Sequence, residues 1–171
     1  MTTAPTIETE RLILRPLGLQ DFEPLAAFYA SERSKFVGGP ENPEWTWRTL
    51  ALEIGHWTLR GYGRFGVEEK SSGALAGLIG PWNPHGWPEP EIGWYLMNGF
   101  EGKGYATEAA RAALDYAFET LEWTTAISLV AIGNDGSAAV AKRLGAAHEG
   151  DFTHVRFGEM QVWRHKVPEA A

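Results

Sequence analysis

The residues whose types and spacing could do chemistry lie together in Phe100-Glu101-Gly102-Lys103-Gly104-Tyr105-Ala106-Thr107-Glu108. Ahead of them runs an apolar, aromatic stretch of strand length, with Ile92, Trp94, Tyr95, Leu96 and Met97. Behind them Ala106, Ala109, Ala110, Ala113, Ala117 and Leu121 recur at spacings of three and four, one face of a helix. A strand feeding a glycine turn that opens a helix leaves the first helical N–H groups unpaired, and these with the helix dipole favour an anion. Gly102 and Gly104 have no side chain to keep a phosphate from the backbone, and Lys103 adds positive charge. Gly99, Gly102 and Gly104, spaced three and two, do not fit the dinucleotide fingerprint, and the nucleotide-triphosphate loop needs Gly-Lys-Ser/Thr whereas Gly104 is followed by Tyr105.

The segment resembles the acetyl-CoA signature of the GNAT N-acetyltransferases, Gln/Arg-x-x-Gly-x-Gly/Ala, written here as Glu101-Gly102-Lys103-Gly104-Tyr105-Ala106. The string from Gly102 to Ala109, the opening Thr9-Glu10-Arg11-Leu12-Ile13-Leu14-Arg15-Pro16 and the following Asp21 are similar to the RimJ/RimL branch. The resemblance implies a GNAT fold: an α+β (α/β three-layer) protein with a mixed, mostly antiparallel sheet of about seven strands flanked by about four helices. It implies acetyl-CoA as co-substrate, with its pyrophosphate on the backbone of Gly102, Lys103, Gly104, Tyr105 and Ala106. The pantetheine arm would lie along the strand ending at Leu96 and Met97, with an N–H near Leu96 facing the acetyl carbonyl. Asn134 and Ser137 stand where the family contacts the cofactor, although both residue types also cap helices.

Two positions depart from the family pattern. Glu101 replaces Gln or Arg, and a carboxylate near phosphate is expected to point to solvent. Ala141, four residues before Gly145, replaces the Tyr that in many members protonates the leaving thiolate. For the general base the resemblance points to Glu91 at the start of the central strand, where Glu89 and Pro90 suggest a rim position. His85, His148 and His154 are weaker candidates, and no two have metal-ligand spacing, so no metal is expected. The implied activity is acetyl transfer to a primary amine on a small molecule or peptide; the competing reading is an acyl-CoA-binding module with little or no catalysis.

Positioning these residues requires a sheet and covering helices. Residues 6–17 read as a first strand, and a helix opens at Asp21 and stops before Gly38. Asn42-Pro43-Glu44 reads as N-cap, first-turn proline and early acid of a helix over 43–60, closed by Gly61. Residues 64–69 and 74–80 form a hairpin, and the aromatic, proline-rich loop 81–90 borders a site. A buried strand over 124–132 and a helix from Asn134 to Gly145 precede a last hairpin, 148–157 and 159–166, hinged at Gly158, and a tail at 168–171.

Composition limits the alternatives. The 171 residues fit one domain over 1–171, ordered over about 6–166. The N-terminus lacks signal-peptide character and no apolar run approaches a bilayer span, so a cytoplasmic protein without membrane association is expected. With no cysteine, an acyl group must move directly to its acceptor, in a ternary complex. The net charge of −7 argues against a nucleic-acid partner and favours a cationic amine. A homodimer is compatible with all of this.

Overall fold

The computed structural model describes residues 4–168; the readings made on residues 1–3 and on the tail at 169–171 lie outside the described residues. Eight strands form one sheet: β1 (Ile7–Glu8), β2 (Leu12–Arg15), β3 (Phe65–Glu69), β4 (Leu75–Trp82), β5 (Glu91–Leu96), β6 (Ile127–Ala131), β7 (Ala147–His154) and β8 (Gly158–Arg164). Their order is β1-β2-β3-β4-β5-β6-β8-β7, antiparallel throughout except between β5 and β6. Four α-helices accompany them: α1 (Phe22–Tyr29), α2 (Pro43–Arg60), α3 (Tyr105–Asp115) and α4 (Asp135–Arg143).

The strand count exceeds the expected seven because the first strand is two. Thr9 turns the chain, its N–H donating to the Leu12 carbonyl (2.9 Å) and its hydroxyl oxygen accepting from Leu12 N–H (3.2 Å), so Ile7 pairs back on Leu14. α2 matches expectation because its signals are local: Asn42 Oδ1 caps Trp45 N–H at 3.0 Å, and Gly61 closes the helix at φ +78°. Between α1 and Gly38 a 3-10 helix, Glu32–Val37, intervenes. α3 is shorter than its alanine pattern, passing into a π-helical turn at Tyr116–Thr120. β4 runs two residues beyond Gly80, β6 begins only at Ile127, and the last hairpin turns at Val155, Arg156 and Phe157 rather than at Gly158, the first residue of β8.

Among the described residues three apolar clusters cover the sheet, two of them large. Ile79 and Ile92 pack with the small face of α3, where Ala109, Ala110 and Ala113 have no exposed surface, and with Ala117 of the π-helical turn. Leu78 and its cross-strand partner Tyr95 pack with Leu25 and Phe28 of α1 and Leu50 of α2. Each fully buried large side chain contributes about 1.5 to 3 kcal/mol, and alanines let the α3 backbone lie close on the strands. That closeness holds the start of α3 against the end of β5. Among the described residues no helix is long and apolar enough to cross a membrane.

Candidate active site

The site begins where the sheet comes apart. β5 and β6 share only the register pair Glu91 and Ile127, beyond which side chains replace the ladder. The Glu91 carboxylate accepts from Leu129 N–H at 2.9 Å, and Ser128 Oγ donates to the Ile92 carbonyl at 2.6 Å. On the other edge of β5, Met97 N–H bonds the Ala76 carbonyl at 2.9 Å. Alternation along an antiparallel pair then turns the N–H and C=O of Trp94 and Leu96 away from β4 and into the gap. Both residues line a cleft of about 1220 Å³. Met97, expected beside Leu96 at this edge, is not brought to it: its backbone faces β4 and its side chain is buried with Leu78 and Tyr95.

Gly99, Gly102 and Gly104, at φ +89°, +75° and +80°, carry the chain from β5 into α3. The first bond of the helix runs from Glu108 N–H to the Gly104 carbonyl (3.1 Å), so the N–H groups just before it have no helical partner. Glu101, Gly102, Lys103, Gly104, Tyr105 and Ala106 all line the cleft, with Gly102 open on the side where a Cβ would stand. Thr107 Oγ1 in the same turn is buried without a hydrogen-bond partner. Open glycines, spare N–H groups and an orphan hydroxyl fit an anionic group such as a pyrophosphate.

Carboxylates behind the loop hold it in place. Glu108 accepts from Thr9 Oγ1 (2.6 Å), Arg11 N–H (2.9 Å) and Arg11 Nε (2.7 Å), and Arg11 Nη1 reaches the Lys103 carbonyl (2.8 Å). Glu69 accepts from Tyr105 OH (2.6 Å) and Ser72 Oγ (2.6 Å) and pairs with Lys103 Nζ (3.3 Å). The Ser72 and Tyr105 hydroxyls and Lys103 hold the Glu69 carboxyl down at about 2. The Thr9-Glu10-Arg11 string and Glu108, far apart in sequence, are thus two halves of one buttress. Glu101 is exposed, as expected, and there its carboxylate pairs with Arg33 of the 3-10 helix and accepts from Gly99 N–H at 3.0 Å. Arg33 also donates to the Leu96 carbonyl (3.1 Å) and Asn98 Oδ1 (2.9 Å).

Across the gap, Asn134 caps α4 by accepting Ser137 N–H (3.3 Å), and Ser137 Oγ accepts from Trp94 Nε1 (2.9 Å). Asn134 and Ser137 line the cleft as well as capping the helix. An indole N–H can only donate, so the Ser137 hydroxyl proton is left for another acceptor. Ala141 is fully buried against Val130 and Trp163 and off the cleft, so this position faces the core.

Glu91 is not the solvated rim carboxylate its neighbours suggested. It lines the cleft but is only 4% exposed, covered by β6 and by Trp87, whose Nε1 donates to Oε1 at 2.9 Å. Burial pushes its carboxyl above the ordinary range, against the opposing pulls of Leu129 N–H, Arg64 and Trp87 N–H. Glu89 is instead held by Arg164 at 2.7 and 2.8 Å. Of the histidines, His85 and His154 line the cleft, with His154 Nδ1 accepting from Arg156 N–H (3.0 Å), while His148 sits outside it beside Asp151 (3.2 Å).

Sequence reasoning missed the buried Arg64–Glu53 pair and Tyr95 in the cleft wall, since an arginine before one strand and a glutamate inside a helix carry no local signature. It also missed His165, which is 3% exposed and bonds Ser128 Oγ through Nε2 at 2.7 Å. Ser128 gives its own proton to Ile92, so Nε2 is the donor and Nδ1 is left bare. Burial lowers this imidazole to about 4. Above pH 6.5 it is neutral folded or unfolded and its contribution to stability is complete. As pH falls toward 4 the unfolded chain takes up the proton first, and up to about 3 kcal/mol is lost. A His165→Gln variant, which keeps an N–H donor but does not titrate, is expected to unfold with a shallower loss of stability between pH 6.5 and 4, read by urea titration at each pH. Equal slopes in the two proteins would remove His165 from the acid response.

Comparison with known proteins supplies independent support. Residues 11–147 match the acetyltransferase (GNAT) domain family. The chain is 32% identical over 147 residues to "Putative ribosomal N-acetyltransferase YdaF" of Bacillus subtilis (strain 168), covering 82% of this chain and 80% of that protein. The crystal structure of an acetyltransferase from Agrobacterium tumefaciens str. C58 is 40% identical with a TM-score of 0.87, covering 96% of this chain and 95% of its own. A GNAT-family acetyltransferase from Bacillus anthracis is 25% identical with a TM-score of 0.77, over 94% and 96%. A match across most of the chain, on a sheet opened at the strand pair that carries the glycine loop, means that the chain belongs to the GNAT acetyltransferase family and is an acyltransferase.

Proposed function

We propose that this protein, acting as a single catalytic domain in the cytoplasm, transfers an acetyl group from acetyl-CoA to a primary amine by direct attack in a ternary complex. The observation that carries the proposal is the opened β5–β6 pair, whose Trp94 and Leu96 backbone edge runs along the cleft to the glycine loop before α3. Acetyl-CoA supplies the thioester and the pyrophosphate. Backbone N–H groups from Gly102, Lys103, Gly104, Tyr105 and Ala106 take the pyrophosphate, and Asn134 and Ser137 face the pantetheine arm. Leu96 N–H serves the thioester carbonyl oxygen, where such a donor contributes about 2.7 to 4 kcal/mol as charge develops. Glu91 takes the proton of the amine, directly or through water.

The second reading, an acyl-CoA-binding module, draws on two observations: Ala141 faces the core, and both Glu91 oxygens already hold donors. Initial rates of free-thiol release with varied acetyl-CoA and amine separate the readings. Direct transfer predicts intersecting double-reciprocal lines, because no cysteine exists to carry an acyl group. Parallel lines would contradict the ternary complex, and tight acetyl-CoA binding with no thiol release over any amine would favour the module.

A further inference from the structure

This inference rests on the acetyl-transfer reading and concerns the acceptor. The half of the cleft beyond Glu91 is walled by Phe28, Tyr29, Trp82, Trp87, Tyr95 and Phe157. Three guanidiniums also line it, and each already has its own carboxylate: Arg33 with Glu101, Arg64 with Glu53, and Arg156 with Glu41 at 3.3 Å. An acceptor bearing a carboxylate or phosphate would have to share a guanidinium with its present carboxylate or displace that partner. At Arg64 displacement would strand Glu53, which has no exposed surface, and breaking a buried pair is costly. Among the described residues Glu91 is the one cleft carboxylate in this half that forms no ion pair: it accepts only from Trp87 and Leu129 N–H groups, and Arg64, across Gly93, acts on it without an ion pair. The walls therefore offer one place for an ammonium and apolar, aromatic surface for the rest.

The same half is bridged. At the β7–β8 turn Arg156 reaches Glu41 and lies over the Trp45 ring at 5.3 Å. Phe157 packs so close to Gly38 that a Cβ there would stand 3.0 Å from Cε1, and its ring also meets Trp87 and His154, with centroids at 5.7 and 4.9 Å. The turn thus spans from the loop after β4 to the segment before α2, and its Arg156 and Phe157 line the cleft at this end.

We infer that the acceptor is a compact monoamine with an aromatic or apolar body and no acidic group, rather than a peptide N-terminus. Its ammonium form gives one proton to Glu91, the freed amine attacks the thioester carbonyl, and the second nitrogen proton leaves with the thiolate. Amide, free CoA thiol and one proton released to solvent complete the balance.

The test compares phenethylamine with phenylalanine, which adds only a carboxylate, with a phenylalanine-initiated hexapeptide amide and with spermidine, using the full chain. Rates of thiol release are expressed per unprotonated amine, and acetyl-CoA binding is titrated separately by tryptophan fluorescence. Phenethylamine is expected to show a kcat/KM about 100-fold or more above each of the others. Equal or better use of phenylalanine, hexapeptide or spermidine would overturn the inference and leave acetyl transfer standing. Failure of acetyl-CoA to bind, or binding with no amine acetylated, would overturn the parent reading and the inference with it.

Discussion

A Gly104→Val enzyme is expected to fold and to lose acetyl-CoA affinity by about 100-fold or more, close to 2.7 kcal/mol. Gly104 sits at φ +80°, where a β-branched residue is strained by about 1 to 3 kcal/mol. Its Cβ would stand 3.5 Å from Arg11 Nη2, and the same guanidinium holds the Lys103 carbonyl through Nη1, so the added methyl groups press on the buttress that shapes the loop. They would also fill the space through which a phosphate approaches the N–H groups that open α3. Gly99→Ala is the matched control. Gly99 has φ +89° and open space around it but does not line the cleft, so its variant should lose stability while keeping affinity within about threefold. Calorimetric titration with acetyl-CoA and thermal unfolding of both variants read the comparison. Unchanged affinity in a folded Gly104→Val protein would refute the placement of the pyrophosphate.

That loop was legible in the sequence because its signals are local: an apolar run, glycines at left-handed positions and an alanine face follow one another within thirty residues. α2 was legible for the same reason, from Asn42, Pro43 and Gly61. What escaped depends on distant partners. The break between β1 and β2 is stabilised at Thr9 by Glu108, and the ion pair of the exposed Glu101 is made with Arg33, contributed by another element. Whether Leu96 or Met97 faces the gap is a question of parity, fixed by the register of β5 on β4 and invisible in β5 alone. Glu91 looked like a rim residue beside Glu89 and Pro90, yet β6 and Trp87 close over it.

The double involvement of Glu91 makes Glu91→Gln the sharpest test of chemistry. As general base, Glu91 should be needed for turnover, and the variant is expected to lose about 100-fold or more in kcat above neutral pH with acetyl-CoA affinity within about threefold. The amide retains one acceptor oxygen for Leu129 N–H or Trp87 Nε1 but not both, and the donor left buried costs about 1 to 3 kcal/mol, visible as a lower unfolding temperature. Rate and stability are therefore read separately. Protonation of the amine also slows the wild type in acid, so the informative quantity is the ratio of wild-type to variant kcat on one amine across pH. Burial raises the Glu91 carboxyl, which places its loss of basic function above the ordinary carboxylate range. The ratio should be large and flat at high pH, where the carboxylate is ionised, and fall toward one as pH drops through that raised value. A variant within threefold of wild type at every pH would leave Glu91 as the strut that holds β5 and β6 apart, and assign the rate to positioning and to the Leu96 N–H donor. Loss of acetyl-CoA affinity in step with kcat would point the same way, since a collapsed gap removes the cofactor's edge before any proton moves.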